Sequence, residues 1–356
     1  MNDQQQKYLP TNSQVIIFGS GQTGRTILDV LNSSRRDVRV IAFIDNYRSG
    51  EFQGIPIIRP NDINNFENLD KTVVVLATQE RVSENEMIES LKIITRKLNL
   101  WSPFMGPDRL SSKLFDELVI DEILDTLKFG KILFRKVIDA RINGSFSEVE
   151  SIWNLQKLEG KAIKPYFEAP YILPPDAIVI DGGTFDGTEA LEFSNMANTG
   201  FVFTFDPWGG EFIPKKSLVH CAINIEIVSA ALWSNSRIVY FNQNLSPGGE
   251  AGSYVTELAR TDSEKINAIS IDDFCLERNL KRVDFIKMDI EGSELEALHG
   301  ARKTIVSYKP KLAICIYHRP EHMHQIFTYI KGLDLDYDIG FGHYSDNILE
   351  SVMYFY

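Results

Sequence analysis

The side chains best placed for chemistry in this sequence follow apolar runs. Residues 283–288, VDFIKM, read as a buried strand that leads into Asp289 and Glu291, and residues 311–317, KLAICIY, read as a second that leads into His318. A strand ending in a titratable group presents it at the sheet edge where α/β folds place their ligands. A neutral imidazole or a carboxylate there can take a proton from a hydroxyl near neutral pH, so His318, Asp289 and Glu291 are candidate bases. The two carboxylates would equally suit a magnesium ion that activates the hydroxyl. Plainer readings stand beside these: a loop carboxylate is usually solvated, and a strand-end histidine packs. Glu294 has a structural role on offer, since Ser293 and Glu296 have capping-box spacing and Glu294 in the first helical turn complements the macrodipole. His322 and His324 fall on the helix after Pro320 and read as surface residues.

A proton acceptor needs a reacting partner held nearby. Residues 179–187, VIDGGTFDG, end an apolar run and break into a turn, with a helix predicted from Thr188. Gly182, Gly183 and Gly187 let the backbone approach a ligand, with Thr184 and Phe185 between them. A pyrophosphate favours bare amides at a helix N-terminus, whereas Asp181 and Asp186 flank this turn with negative charge. That charge points to a ligand carrying cationic groups, such as the ammonium and sulfonium of S-adenosylmethionine. The alternative is a strand-to-helix turn in which Asp186 only starts the helix.

The elements that follow have the order such a pocket requires. Residues 201–205, FVFTF, form the next strand pattern and end in Asp206-Pro207-Trp208, with Asp206 25 positions after Asp181. One strand-helix-strand unit separates them, and a carboxylate at that place can accept both hydroxyls of a ribose. Ala230 and Ala231, after the strand pattern 225–228, lie at a plausible adenine edge, and 247–249, PGG, make a candidate lid loop.

The front of the chain repeats the pattern. Residues 14–18, QVIIF, lead into Gly19-Ser20-Gly21-Gln22-Thr23-Gly24, a helix, and a strand ending at Asp45, 21 positions beyond Gly24. Glycines and acid have the register of a dinucleotide fold, which makes Gly19, Gly21, Gly24 and Asp45 candidate nucleotide-binding residues. The same fold could serve as a scaffold or an oligomerisation module with an empty crevice, which keeps a homo-oligomer among the expected states. IIFGSGQTG, VIAFIDN and Gly54-Ile55-Pro56-Ile57 resemble the N-terminal domain of bacterial sugar acyltransferases and related nucleotide-sugar proteins over residues 13–80. That resemblance implies a nucleotide-sugar ligand.

Between these halves the pattern turns helical, with residues 115–141 read as one helix weakened at Gly130 and 145–158 as another. The expected architecture is therefore α/β: two doubly wound sheets, an N-terminal Rossmann-like nucleotide-binding domain (1–100) and a C-terminal catalytic domain (166–356), joined by a helical connector (101–165). At 356 residues each domain is large enough for its own core. A net charge of −12 and a pI near 5.1 argue against nucleic acid as a partner, and favour a small molecule or glycan. Cys221, Cys275 and Cys315 are widely spaced, the start MNDQQQKYLP lacks a signal-peptide pattern, and no apolar run reaches bilayer length. These features predict a cytoplasmic protein without a membrane span.

From about Tyr166 onward the chain resembles the FkbM family of S-adenosylmethionine-dependent methyltransferases. The matching pieces are VIDGGTFDG, FTFDPW, ISIDDF, FIKMDIEGSELEALHGA and ESVMY, in that order. The resemblance implies a class I methyltransferase sheet with a reversed terminal strand, and methyl transfer to a hydroxyl of a sugar or polyketide. It places 181–187 at the methionine end of the cofactor, Asp206 at the ribose, and 289–291 facing the methyl. The turn departs from the family's usual GANxG, which puts the contacts of Phe185 and Asp186 in question. Two rivals remain: a non-catalytic nucleotide-sugar-binding or scaffold protein of glycan assembly, and an oxidoreductase using the front crevice, ranked last because no redox group accompanies it.

Overall fold

In the computed structural model the described residues are 9, 12–35, 37–66, 69, 72–77, 81–92, 99–101, 117–143, 147–158, 165–167, 172–211, 213–214, 217–242, 254–256, 263–319, 321–346 and 349–356. The chain divides into two compact units, one of residues 1–120, 135–155 and 345–348, the other of 121–134, 156–344 and 349–356. Residues 101–165 are divided between the two units. No helix among the described residues is long and apolar enough to cross a membrane.

The first unit begins with β1 (Gln14–Phe18), α1 (Gln22–Ser34) and β2 (Arg39–Ile44). A short hairpin follows, β3 (Gly50–Phe52) and β4 (Ile55–Ile58), then β5 (Thr72–Leu76), α2 (Arg81–Lys92) and β6 (Asn99–Trp101). The sheet order is β3-β4-β2-β1-β5-β6, parallel except for the hairpin. Helices on the faces of a parallel sheet bury its central strands, so β5 reads TVVVL and is buried throughout.

The middle of the chain differs from its periodicity. Residues 115–141 do not make one helix: α3 (Glu117–Thr126) stops, β7 (Leu127–Phe129) intervenes, and α4 (Lys131–Asn143) resumes. Gly130 joins this strand to α4, taking φ +81, and a Cβ there would lie 2.1 Å from the Phe341 carbonyl oxygen. The apolar positions before it serve a strand that pairs at the sheet edge. α5 (Ser147–Leu158) follows.

The second unit continues with β8 (Ile178–Gly182), α6 (Thr188–Met196), β9 (Phe201–Phe205) and β10 (Ile225–Val228). A four-stranded side sheet comes next: β11 (Ala231–Leu232), β12 (Arg237–Asn242), β13 (Tyr254–Thr256) and β14 (Glu264–Ile269). The chain then runs through α7 (Ile271–Glu277), β15 (Phe285–Met288), α8 (Glu294–His299), α9 (Arg302–Tyr308) and β16 (Lys311–Cys315). It closes with α10 (His322–Lys331), β17 (Ile339–His343) and β18 (Ser351–Phe355). The main sheet has the order β10-β9-β8-β15-β16-β18-β17-β7. Its last strand in sequence, β18, is antiparallel to both neighbours. The order reverses between β8 and β15, and a crevice at such a switch point is where open α/β sheets take ligands. The candidate lid at 247–249 lies outside the described residues.

Candidate active site

The glycine turn after β8 is built around a buried ion pair. β8 and β15 run in register with Asp181 opposite Lys287, which puts both side chains on one face. The Lys287 ammonium lies 3.2 Å from Asp181 Oδ1 and donates to the Gly183 carbonyl at 2.5 Å. Thr204 Oγ1 donates to Asp181 Oδ2 at 2.7 Å. Burial opposes the lysine's charge, but Asp181, Asp289 and Glu189 outweigh it and hold its pKa above the ordinary value. Gly183 (φ +83) closes the gap between strands, since a Cβ there would lie 1.9 Å from the Asp289 carbonyl oxygen.

This geometry corrects the electrostatic reading of the turn. Asp181 is fully buried and its charge is met by Lys287, so it presents no field to a ligand. Gly182, Thr184 and Gly187 are buried behind the cavity wall, with a Cβ on Gly187 clashing with Val219. Asp186 accepts from the Thr188 amide at 2.9 Å, the helix-starting role, while also lining the cavity with Gly183 and the exposed ring of Phe185.

A cavity of about 440 Å³ opens along the carboxyl ends of the strands, within the range of small-molecule sites. Its positions follow the sheet order: Asp206 after β9, Gly183 after β8, Asp289 after β15, Tyr317 after β16, and Glu350 before β18. From β9 to β18 is four strand spacings, roughly 19 Å. The β9 end is walled by Pro207, Trp208, Ala230, Ala231, Leu232 and Phe241. Asp206 Oδ1 accepts from the amides of Trp208 (2.8 Å) and Gly210 (3.2 Å). Burial raises the Asp206 pKa, and those amides only partly offset it.

The other end is rich in carboxylates. Asp289 accepts from the hydroxyls of Tyr166 (3.2 Å) and Tyr317 (3.1 Å). Beside it, His318 Nε2 is 3.4 Å from Asp289 and 3.5 Å from Glu291, and Nδ1 is 2.8 Å from Glu294. Burial would strip the imidazole of its proton, yet Glu294, Glu291 and Asp289 together raise its pKa to about 10. The three acids thus hold a proton on His318, and it does not line the cavity, which argues against it as the general base.

The buried Glu294 anchors this cluster. Its Oε1 accepts from the amides of Ile290 (3.0 Å) and Gly292 (3.3 Å), and its Oε2 lies 3.1 Å from His322 Nδ1. Burial disfavours its charge, but His318 and His322 prevail and hold its pKa far below the usual range. The expected capping box is replaced by this arrangement, because Ser293 makes no side-chain cap, and His322 is buried rather than on the surface. Glu291, at φ +54, faces the cavity. Burial pushes its pKa to about 8; His318 eases that shift and the neighbouring acids add to it. Among the described residues no group of three His, Cys, Asp or Glu is arranged to hold a metal ion.

Sequence reasoning missed Lys287, Tyr166, Tyr317, Glu189 and Glu350 as members of this site, all of which line the cavity. Two signals pointed to them: a lysine inside an otherwise apolar strand, which demands a buried partner, and the ESVMY piece that opens with Glu350.

The front crevice contrasts with this one. Asp45 Oδ2 accepts from the Ser20 amide (3.0 Å) and hydroxyl (2.6 Å), and Oδ1 from the amides of Tyr47 (2.8 Å) and Arg48 (2.9 Å). A carboxylate has about four acceptor positions, so Asp45 is filled by its own chain and has none to offer a ribose. Burial raises its pKa, but these bonds outweigh that and lower it. Gly19 (φ +109) and Gly24 pack against each other, a Cβ on Gly24 falling 1.9 Å from the Gly19 carbonyl oxygen, and Gly21 caps α1.

Comparison with known proteins bears on both units. Residues 182–339 match the family model described as Methyltransferase FkbM domain, and residues 11–98 match the one described as C2185-like, N-terminal. A 155-residue stretch is 23% identical to the 2-O-methyltransferase NoeI of Sinorhizobium fredii (strain NBRC 101917 / NGR234), covering 37% of this chain and 60% of that protein. The chain therefore spans less than two thirds of that relative's length. The crystal structure of methyltransferase FkbM from Methylobacillus flagellatus KT superposes with a TM-score of 0.52 at 19% identity, covering 97% of this chain and 90% of that one, a likeness of fold.

Proposed function

Starting from a C-terminal half that carries an FkbM methyltransferase domain, we propose that this chain transfers the methyl group of S-adenosylmethionine to a hydroxyl of a sugar or glycan precursor. The observation that carries the reading is the division of the cavity along the sheet edge. An apolar end with a half-occupied Asp206 carboxylate suits a nucleoside: Oδ1 is held by two amides, and the carboxylate stands in the cavity wall. The central acids, Asp186 and Glu189, flank the place where an ammonium would lie. This moves the attraction for a cation from Asp181 to the cavity wall.

When bound, S-adenosylmethionine supplies an electrophilic methyl group on a sulfonium. The chain's contribution is to align a hydroxyl against it, an effect worth several kcal/mol, and to accept the hydroxyl proton. Asp289 is oriented by two tyrosine hydroxyls and the His318 cation, which fits it to hold the acceptor. The magnesium alternative loses its ligands here, because Asp289 and Glu291 flank His318.

Calorimetric titration tests the proposal. S-adenosylmethionine binds the wild-type protein, and Asp206→Ala weakens it at least ~100-fold, about 2.7 kcal/mol for two lost charge-assisted bonds. Equal affinity for both proteins would refute the nucleoside assignment. In the front unit the likeness to sugar acyltransferases supports a nucleotide-sugar held by the amides of the 19–24 turn, with Asp45 as the brace of that turn. A non-catalytic scaffold would bind that ligand and leave S-adenosylmethionine unbound.

A further inference from the structure

The direction of the last strand delivers Glu350, the first residue of the ESVMY piece, to the cavity. β15 and β16 are parallel to β8 and bring their carboxyl ends to the cavity. β18 is antiparallel to β16, with Val352 opposite Cys315, so its beginning arrives at that same edge. Glu350, immediately before β18, lines the cavity beside Tyr317, Asp289 and Glu291. It is held at φ +61, a left-handed conformation rare for a side-chain-bearing residue and common at functional sites.

The carboxylates around it are committed elsewhere. Asp289 accepts two tyrosine hydroxyls, Glu294 is tied to two histidines, and Glu291 stands against the His318 cation with its proton retained through neutral pH. Among the described residues no donor is bonded to the Glu350 carboxylate. The titratable groups facing it are Glu189 from α6, Lys287 from β15, Asp289 and Glu291 from the following turn, and Cys315, Tyr317 and His318 at the end of β16. Burial first, then Asp289, raise its pKa to about 7, with His318 and Lys287 pulling the other way. A base is most effective when its pKa lies near the operating pH.

We infer that Glu350 is the catalytic residue that removes the acceptor's hydroxyl proton. This rests on the methyl-transfer reading above. Glu350 takes the proton as the O–H bond breaks, the oxygen's electron pair forms the new C–O bond, and the pair of the breaking C–S bond stays with the thioether sulfur. The carboxylate then returns its proton to solvent.

Affinities for S-adenosylmethionine and S-adenosylhomocysteine, which differ by the sulfonium charge, report on Glu350 without an acceptor. By calorimetry between pH 6 and pH 8.5, the wild-type preference for the charged ligand should grow about tenfold through pH 7 as Glu350 ionises, and Glu350→Gln should lose that rise, keeping only the one that Glu291 adds near pH 8. With a panel of methyl glycosides as acceptors at saturating donor, Glu350→Gln should lower kcat at least ~100-fold. If both proteins bind the donor and their preferences follow the same pH course, Glu350 is not beside the reacting atoms. Failure of Glu350→Gln to bind at pH 6, where the wild type binds, would make its role structural and overturn the inference. If the wild type binds neither ligand, the methyltransferase reading itself fails.

Discussion

Lys287→Met destabilises the second unit by about 3–5 kcal/mol, because it leaves the Asp181 carboxylate buried without its cation. For a unit of this size that lowers the melting temperature by roughly 6–20 °C. Removing both charges costs much less, since a well-packed neutral pair avoids the desolvation penalty. Lys287→Met with Asp181→Asn should therefore recover most of the loss, the amide oxygen still accepting from Thr204. Urea denaturation followed on both variants checks this. A single variant within 1 kcal/mol of wild type, or a double no better than the single, would mean that the pair does not organise the turn.

Raising the pH from 8 to 9.5 should cost the wild-type protein stability at up to about 1.4 kcal/mol per pH unit through His318. Its folded pKa is raised, from 6.5 to about 10, so its contribution is complete below pH 6.5 and is lost as the pH climbs through 10. Glu291 and Glu350 are also raised, to about 8 and about 7, and their slopes run in the same direction at lower pH. Above pH 8 the thiols of Cys275 and Cys315, raised by burial, add slopes of the same sign, so the histidine's share is the difference between two proteins. His318→Gln should make the profile shallower there than the wild type's, read from denaturation midpoints at fixed ionic strength. A wild-type profile already flat between pH 8 and 9.5 would show a neutral imidazole and reopen its role as a base.

How much of this was legible beforehand depended on whether a residue's partners lie near it in sequence. The order of strands, the glycine turn and the acid at Asp206 follow from apolar runs and spacing, which are local. The charge state of His318 does not, because Glu291 and Glu294 reach it from another strand's end. Asp181 and Asp45 looked alike as acids at strand ends. One is met by a lysine from the neighbouring strand, and the other is filled by amides and a hydroxyl of the turns around it. Gly130 was visible as a weak point, but only Phe341, two hundred residues on, shows why a glycine stands there. Glu350 opens the ESVMY piece, and the expected reversal of the last strand already turned it toward the cavity edge, but only the sheet order sets it beside Tyr317 and Asp289.

The placement of β18 has a bearing on how activity is acquired. β17 and β7 are hydrogen-bonded to the rest of the main sheet only by way of β18, so the sheet becomes continuous when that strand seats between its neighbours. The crevice between β8, β9 and β15 draws none of its walls from β17 or β7, whereas Glu350 reaches the edge only through β18. Under the proposed reading, a chain whose last strand is left unseated would keep a place for the donor and lose the group that lets the donor react.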